Sequence, residues 1–177
     1  MKNTVKIVVI GPESTGKTTL THQLAAHFNA PYVAEYAREY LEAQPEKKYE
    51  LADLESIAKK QVERTNIALA AKPKLLFCDT DLLTLHIWAL DKFDKKIAFV
   101  EKNLLPQKAD LYLLCAADIA WQPDPLREDS KRRDFLLEWN IQLLESIRAN
   151  IKIINGEGDV RFLNAKEAVT EFLSRFT

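Results

Sequence analysis

The residues able to do chemistry begin with Gly11-Pro12-Glu13-Ser14-Thr15-Gly16-Lys17-Thr18, an octapeptide of the form GxxxxGK[ST] that continues into Thr19. A glycine at each end of such a loop lets the backbone wrap so that successive N–H groups point inward. That nest, extended by the first amides of a following helix, holds phosphate oxygens. In this pattern the lysine reaches the β and γ phosphates of a nucleoside triphosphate, and the threonine hydroxyl ligates magnesium. The cofactors implied are ATP and Mg2+. A magnesium ion on a triphosphate wants a second carboxylate at a neighbouring strand end, and Asp79, after Leu75-Leu76-Phe77-Cys78, has that form. Asp81 follows two residues later. The pair can divide metal water and substrate hydroxyl between them, and either also suits the N-cap of a helix starting at Leu82. Glu35 can accept a proton from a substrate hydroxyl, as a kinase base does, while Glu35 and Arg38 together also read as a surface i,i+3 ion pair. Arg127, Lys131, Arg132 and Arg133 share a polar segment with Trp121, Pro123 and Pro125. A basic loop of this kind suits closure over a nucleotide, with Arg127 at the transferring phosphoryl. Balanced by Glu128, Asp129 and Asp134, it equally describes a solvated charge run. Gly156 and Gly158, in Asn155-Gly156-Glu157-Gly158-Asp159, permit a turn that can border a base or simply join a strand to a helix.

Alternating strands and helices would have to position these groups. Val5–Ile10 is a short β-branched run stopped by Gly11-Pro12, the signature of a buried parallel strand. Further strands are expected at 31–34, 75–78, 111–115 and 151–154. Helices are expected at 17–29, from Glu35 until Pro45 interrupts, and at 51–71, 82–90, 95–104, 135–149 and 164–176. The alternation predicts an α/β fold of the P-loop NTPase type. Its five-stranded parallel sheet would carry helices on both faces, right-handed crossovers, and a basic lid at about 117–133. Ligands then belong at the carboxyl ends of the strands. No repeat or linker divides the 177 residues, so a single kinase-sized domain over 1–177 is expected.

Composition excludes several classes. With 47% hydrophobic residues and 29% charged, the chain can bury a core without a disulfide or metal staple. A formal net charge of -1 and a pI near 6.3 argue against a nucleic-acid partner. No apolar run approaches the ~18 residues of a membrane span, and the start MKNTVKIVVIGPES meets Gly11 and Glu13 too soon for a signal peptide. A cytoplasmic protein with a small-molecule partner and no membrane association is expected. Cys78 and Cys115 lack metal-site or CxxC spacing and read as small buried hydrophobes.

GPESTGKTTL, EYAREY, DTD, DIAWQPDPLRE and NGEGDVRFLNA together give the chain a resemblance, over nearly its whole length, to the nicotinamide riboside kinase family. That family forms the kinase domain of bacterial bifunctional NAD-biosynthetic proteins and also occurs as stand-alone domains. The resemblance implies transfer of the γ phosphoryl of ATP to the ribose 5'-hydroxyl of nicotinamide riboside, a small-molecule nucleoside, giving nicotinamide mononucleotide. It implies Lys17 and Thr18 at phosphates and metal, Asp79 near magnesium, and Glu35, Arg38 and Asp81 around the ribose. Tyr36, Tyr40 or Trp88 would stack on the cationic pyridinium ring, although core packing is the commoner use of such aromatics. One departure from the bifunctional members is clear. Their nucleotidyltransferase module carries an HxGH-type pair, whereas His22, His27 and His86 stand apart with no adjacent glycine, so adenylyl transfer is not expected. Two alternatives remain at this level: a P-loop kinase for another nucleoside or small alcohol, and a nucleotide-gated regulatory ATPase module.

Overall fold

The computed structural model describes residues 4–44, 48–128 and 130–176. Pro45 and Asp129 lie outside them. Five strands, β1 (Val5–Ile10), β2 (Tyr32–Val33), β3 (Leu75–Asp79), β4 (Leu111–Cys115) and β5 (Ile151–Ile154), form one sheet in the order β2-β3-β1-β4-β5. Every pairing is parallel, with Val9 opposite Asp79 on one side and Leu113 on the other. The central position of β1 explains its composition. A parallel strand with neighbours on both edges and helices on both faces needs apolar side chains throughout, and Ile7, Val8, Val9 and Ile10 are all fully buried.

Alternation along β1 sorts the core into two layers. Ile7 and Val9 pack with Leu20 and Leu24 of α1 (Lys17–His27) and with Ala165, Val169 and Phe172 of α7 (Gly158–Leu173). Val8 and Ile10 face the opposite side, where Ala68 and Leu69 of α3 (Leu51–Ala70) and Leu137, Ile141 and Leu144 of α6 (Arg133–Ser146) cover the sheet. A third cluster joins α2 (Tyr36–Glu42), α3, α4 (Leu82–Phe93) and α5 (Ala98–Asn103) beside the β2 edge. The five-stranded parallel sheet and its helical layers are those the sequence predicts.

The closing helix differs from expectation. It starts at Gly158, six residues before position 164, and a short 3-10 turn, Ser174–Phe176, follows it. The paired glycines look like loop in the sequence. Here, however, Glu157 is the extended N-cap and Asp159 sits in the first turn, where its charge complements the helix dipole. Arg133 likewise belongs to α6, which begins two residues ahead of Phe135. Among the described residues no helix is long and apolar enough to cross a membrane. Cys78 and Cys115 are both free and buried. Burial pushes the Cys78 thiol up to about 12, so it behaves as a hydrophobe.

Candidate active site

The phosphate loop leaves the carboxyl end of β1 and enters α1. Gly11 has φ 144° and Gly16 φ 76°, both in the region that favours glycine, and Ser14 between them is left-handed at φ 54°. A Cβ on Gly11 would stand 2.7 Å from the Cys115 carbonyl oxygen on β4, so only glycine allows the loop to start this close to the sheet. Thr15 Oγ1 donates to the Pro12 carbonyl at 2.8 Å, and Lys17 Nζ donates to the same oxygen at 2.7 Å. The lysine is thus folded back over its own loop, above the amides that would meet phosphate.

Beside it, Thr18 Oγ1 donates to Asp79 Oδ2 at 2.6 Å. The other oxygen, Asp79 Oδ1, is buried without a hydrogen-bond partner among the described residues. Burial raises the carboxyl pKa, opposed by the Thr18 bond and by Lys17. An orphaned carboxylate oxygen next to a threonine hydroxyl at the mouth of a phosphate loop fits a hard divalent cation such as magnesium. Among the described residues no group of three or more His, Cys, Asp or Glu could hold a metal, so phosphate and water oxygens would have to complete its shell.

Asp81 goes elsewhere. Thr80 between the two aspartates is left-handed at φ 64°, a costly conformation for a β-branched residue, and it turns the chain. Asp81 then caps α4, its Oδ1 accepting from Leu83 N–H at 2.9 Å, while Oδ2 accepts from the Tyr112 hydroxyl at 2.8 Å. It does not line the main cleft, which corrects its expected place near the ribose. Replacing Asp81 by Ala should therefore cost stability, about 1–3 kcal/mol in urea denaturation, from the lost cap and the stranded Tyr112 hydroxyl. The KM for the phosphoryl acceptor should stay unchanged. An intact midpoint with a raised KM would return Asp81 to the binding site.

The cleft itself has a volume of about 420 Å3. Residues 11–20 form its floor, α2 contributes Ala37, Arg38 and Leu41, and α4 contributes Thr84, Ile87 and Trp88. Glu35, at the junction of β2 and α2, also lines it. Loss of hydration there lifts the Glu35 carboxyl to about 7. The negative charge of Asp79 adds to the lift, Lys17 and Arg38 oppose it, and Glu13 adds a little more. Trp88 is fixed by its indole N–H, which donates to the Tyr49 hydroxyl at 2.8 Å. Tyr36 and Tyr40 do not line the cleft. Both are on the α2 face turned to α3, where the Tyr36 ring lies 4.5 Å under the Arg64 guanidinium and Tyr40 donates to Asp53 at 2.7 Å.

The described residues between β4 and α6, 117–128 and 130–132, lie over the loop. Gln122 N–H donates to Ser14 Oγ and Glu128 N–H to Glu13 Oε2, each at 2.9 Å. Ion pairs join Arg38 to Asp124 at 3.2 Å, Lys92 to Glu128 at 3.0 Å and Arg132 to Asp91 at 2.5 Å. The segment is tied to the loop and to α4 at these points, while Lys131 and Arg132 stay exposed to solvent. Arg127 lines the cleft and donates to the Gln122 carbonyl at 2.5 Å. Arg133 points down to the Ser14 and Ile119 carbonyls at 3.2 and 2.9 Å.

At the far end of the cleft the two glycines divide. Gly158 lines it, whereas Gly156 does not. Gly156 instead allows a close turn: its φ is 93°, and a Cβ would meet Val160 Cγ1 at 2.7 Å. Sequence reasoning missed Arg161. This buried guanidinium donates to the Thr15 carbonyl at 2.5 Å, to the Gly156 carbonyl at 2.6 Å and to the Ala116 carbonyl at 3.2 Å, and it pairs with Asp118. It ties the phosphate loop to the loops after β4 and β5. No local pattern marks it, because its partners are brought together only by the sheet.

Known proteins resemble the chain in sequence and in fold. The trifunctional NAD biosynthesis/regulator protein NadR of Salmonella typhimurium and that of Escherichia coli are each 27% identical to the chain over 174 residues. The match covers 94% of this chain but 42% of each relative, so the chain spans less than half the length of those proteins. A crystal structure of NadR in complex with NR superposes with a TM-score of 0.82 at 25% identity, over 97% of this chain and 50% of that one. Thymidylate kinase from Ehrlichia chaffeensis, at 15% identity, shares the fold alone, with a TM-score of 0.62 over 95% of this chain and 98% of its own. The fold is therefore that of a P-loop kinase. The family model described as an AAA domain matches residues 6–161, from the first strand to the buried Arg161, and the chain belongs to that family.

Proposed function

We propose that the chain is an ATP- and magnesium-dependent kinase that phosphorylates the ribose 5'-hydroxyl of nicotinamide riboside, giving nicotinamide mononucleotide and ADP in NAD salvage. The observation that carries this reading is the position of Glu35. A carboxyl held at about 7 lies in the same cleft as the phosphate loop, on the side walled by α2 and α4. The similarity to NadR, solved in complex with NR, supports the choice of acceptor.

In this reading the loop amides hold the β and γ phosphates, and Lys17 leaves the Pro12 carbonyl to bridge them. Thr18 and Asp79 would hold magnesium, whose charge offsets that of the phosphate oxygens. The acceptor hydroxyl oxygen bonds to the γ phosphorus while the bond from that phosphorus to the β–γ bridging oxygen breaks. ADP leaves with the electron pair, and the hydroxyl proton passes to the Glu35 carboxylate. Arg127 contributes charge where the three equatorial oxygens become more negative, and the docked lid excludes water that would otherwise hydrolyse ATP. Trp88 offers its ring to the cationic pyridinium. Little of this is covalent chemistry by the protein, so rate comes from positioning and charge.

The direct test mixes the protein with ATP, magnesium and nicotinamide riboside and measures products. Equal amounts of nicotinamide mononucleotide and ADP are expected. ADP released only with a different nucleoside would reassign the acceptor. ATP binding with no acceptor-stimulated turnover would instead favour a regulatory ATPase. A thermal-shift panel identifies the acceptor independently, since a ligand at 100 times its Kd adds about 2.7 kcal/mol of stability.

A further inference from the structure

A helix N-terminus has backbone N–H groups without intrahelical partners, and the residue at the N-cap commonly satisfies one with its own side chain. Glu35 is the N-cap of α2, with extended backbone at φ -64° and ψ 116°, yet its side chain makes no capping hydrogen bond. The orphan donor is met from another element. Tyr36 N–H, the first of α2, donates to Gln61 Oε1 at 2.8 Å, and Gln61 Nε2 donates to the Ala34 carbonyl at 3.3 Å. One amide on α3 therefore clamps the peptide groups on both sides of Glu35.

Gln61 is buried, 4% exposed, one turn beyond the core residues Ile57 and Ala58. A buried amide is costly unless its donor and acceptor are both used, and here each is spent on the backbone flanking one residue. We propose that Gln61 is a positioning residue for Glu35: by capping α2 in trans it holds the β2–α2 junction and leaves the Glu35 carboxylate free to face the acceptor. This rests on the reading of Glu35 as proton acceptor. The clamp acts on the catalytic geometry and not on ATP, which belongs to the loop between β1 and α1.

The test is a double-mutant cycle on steady-state kinetics. Gln61→Met, close in length but unable to hydrogen-bond, should lower kcat by about 10- to 100-fold, the scale expected when a reacting group is misplaced by about 1 Å. The KM for ATP should stay within about twofold, as the general expectation for a clamp remote from the phosphates. The variant Glu35→Gln/Gln61→Met should turn over no more slowly than Glu35→Gln alone, because a residue acting through Glu35 has nothing left to position. A merely structural glutamine would instead slow both backgrounds by the same factor, and that result overturns the proposal, as would an unchanged kcat in Gln61→Met. If Gln61→Met does not fold, Gln61→Asn, which keeps an amide one methylene too short to reach both groups, carries the same expectations. A Glu35→Gln protein with normal turnover would remove the underlying reading. Inactive Glu35→Gln beside fully active Gln61→Met removes only the positioning role.

Discussion

Lys17→Ala is expected to lower phosphoryl transfer by about 10³-fold, the scale seen when a single preorganised group that stabilises transition-state charge is removed. The fold should survive. Lys17 is partly buried and bonds to the Pro12 carbonyl at 2.7 Å, a contact within its own loop, while the core beneath is made by Leu20 and Leu24. The ammonium is a flexible positive charge held against the nest, in the same cleft as Arg127, and its loss removes a charge from the phosphates that neutral backbone amides do not replace. Steady-state assay with ATP and nicotinamide riboside, paired with a thermal melt, separates the two effects. Turnover within a few-fold of wild type would refute the assignment of the loop.

Glu35→Gln should lower kcat by about 10²- to 10⁴-fold, the usual contribution of a general base, with ATP affinity retained. The pH dependence has a definite sign. Only the deprotonated carboxylate accepts a proton, so wild-type kcat should rise with pH through the region of about 7, and Glu35→Gln should lack that limb. Stability moves the other way. A carboxyl raised from 4.5 to about 7 is more protonated in the folded protein than in the unfolded chain, so this group makes the fold less stable as pH climbs across that window. Glu35→Gln should accordingly raise the Tm at pH 8 while lowering activity. A variant that lost stability and kept its turnover would identify Glu35 as part of an ion pair with Arg38.

Much of the fold was legible because its cues are local. Val5–Ile10, Leu111–Cys115 and Ile151–Ile154 fall where β-branched and apolar runs predict strands; the first two are buried on both faces, which demands that composition, whereas the third is an edge strand with Ile153 exposed. The start of α7 was hidden. Gly156 and Gly158 look like loop residues, and only the N-cap geometry at Glu157 reveals a helix beginning at once. Of the three aromatics offered for the base, helical phase separates them only when the partner helix is known. Tyr36 and Tyr40 are four apart and share the face against α3, leaving Trp88 on the cleft.

Sequence alone determined the phosphate-type loop of this protein, because the eight residues from Gly11 to Thr18 are contiguous and their nest is closed by backbone torsions that glycine permits. What the tertiary structure decided depends on residues far apart in the chain. Thr18 meets Asp79 across 61 positions, which separates Asp79 from Asp81; Tyr36 meets Gln61 across 25; and Thr15 meets Arg161 across 146. A spacing motif reports neighbours along the backbone. Which carboxylate stands beside the Thr18 hydroxyl, which amide bonds the backbone on both sides of Glu35 and which guanidinium braces the loop follow from the order of strands in the sheet. That order is set by the packing of the whole chain.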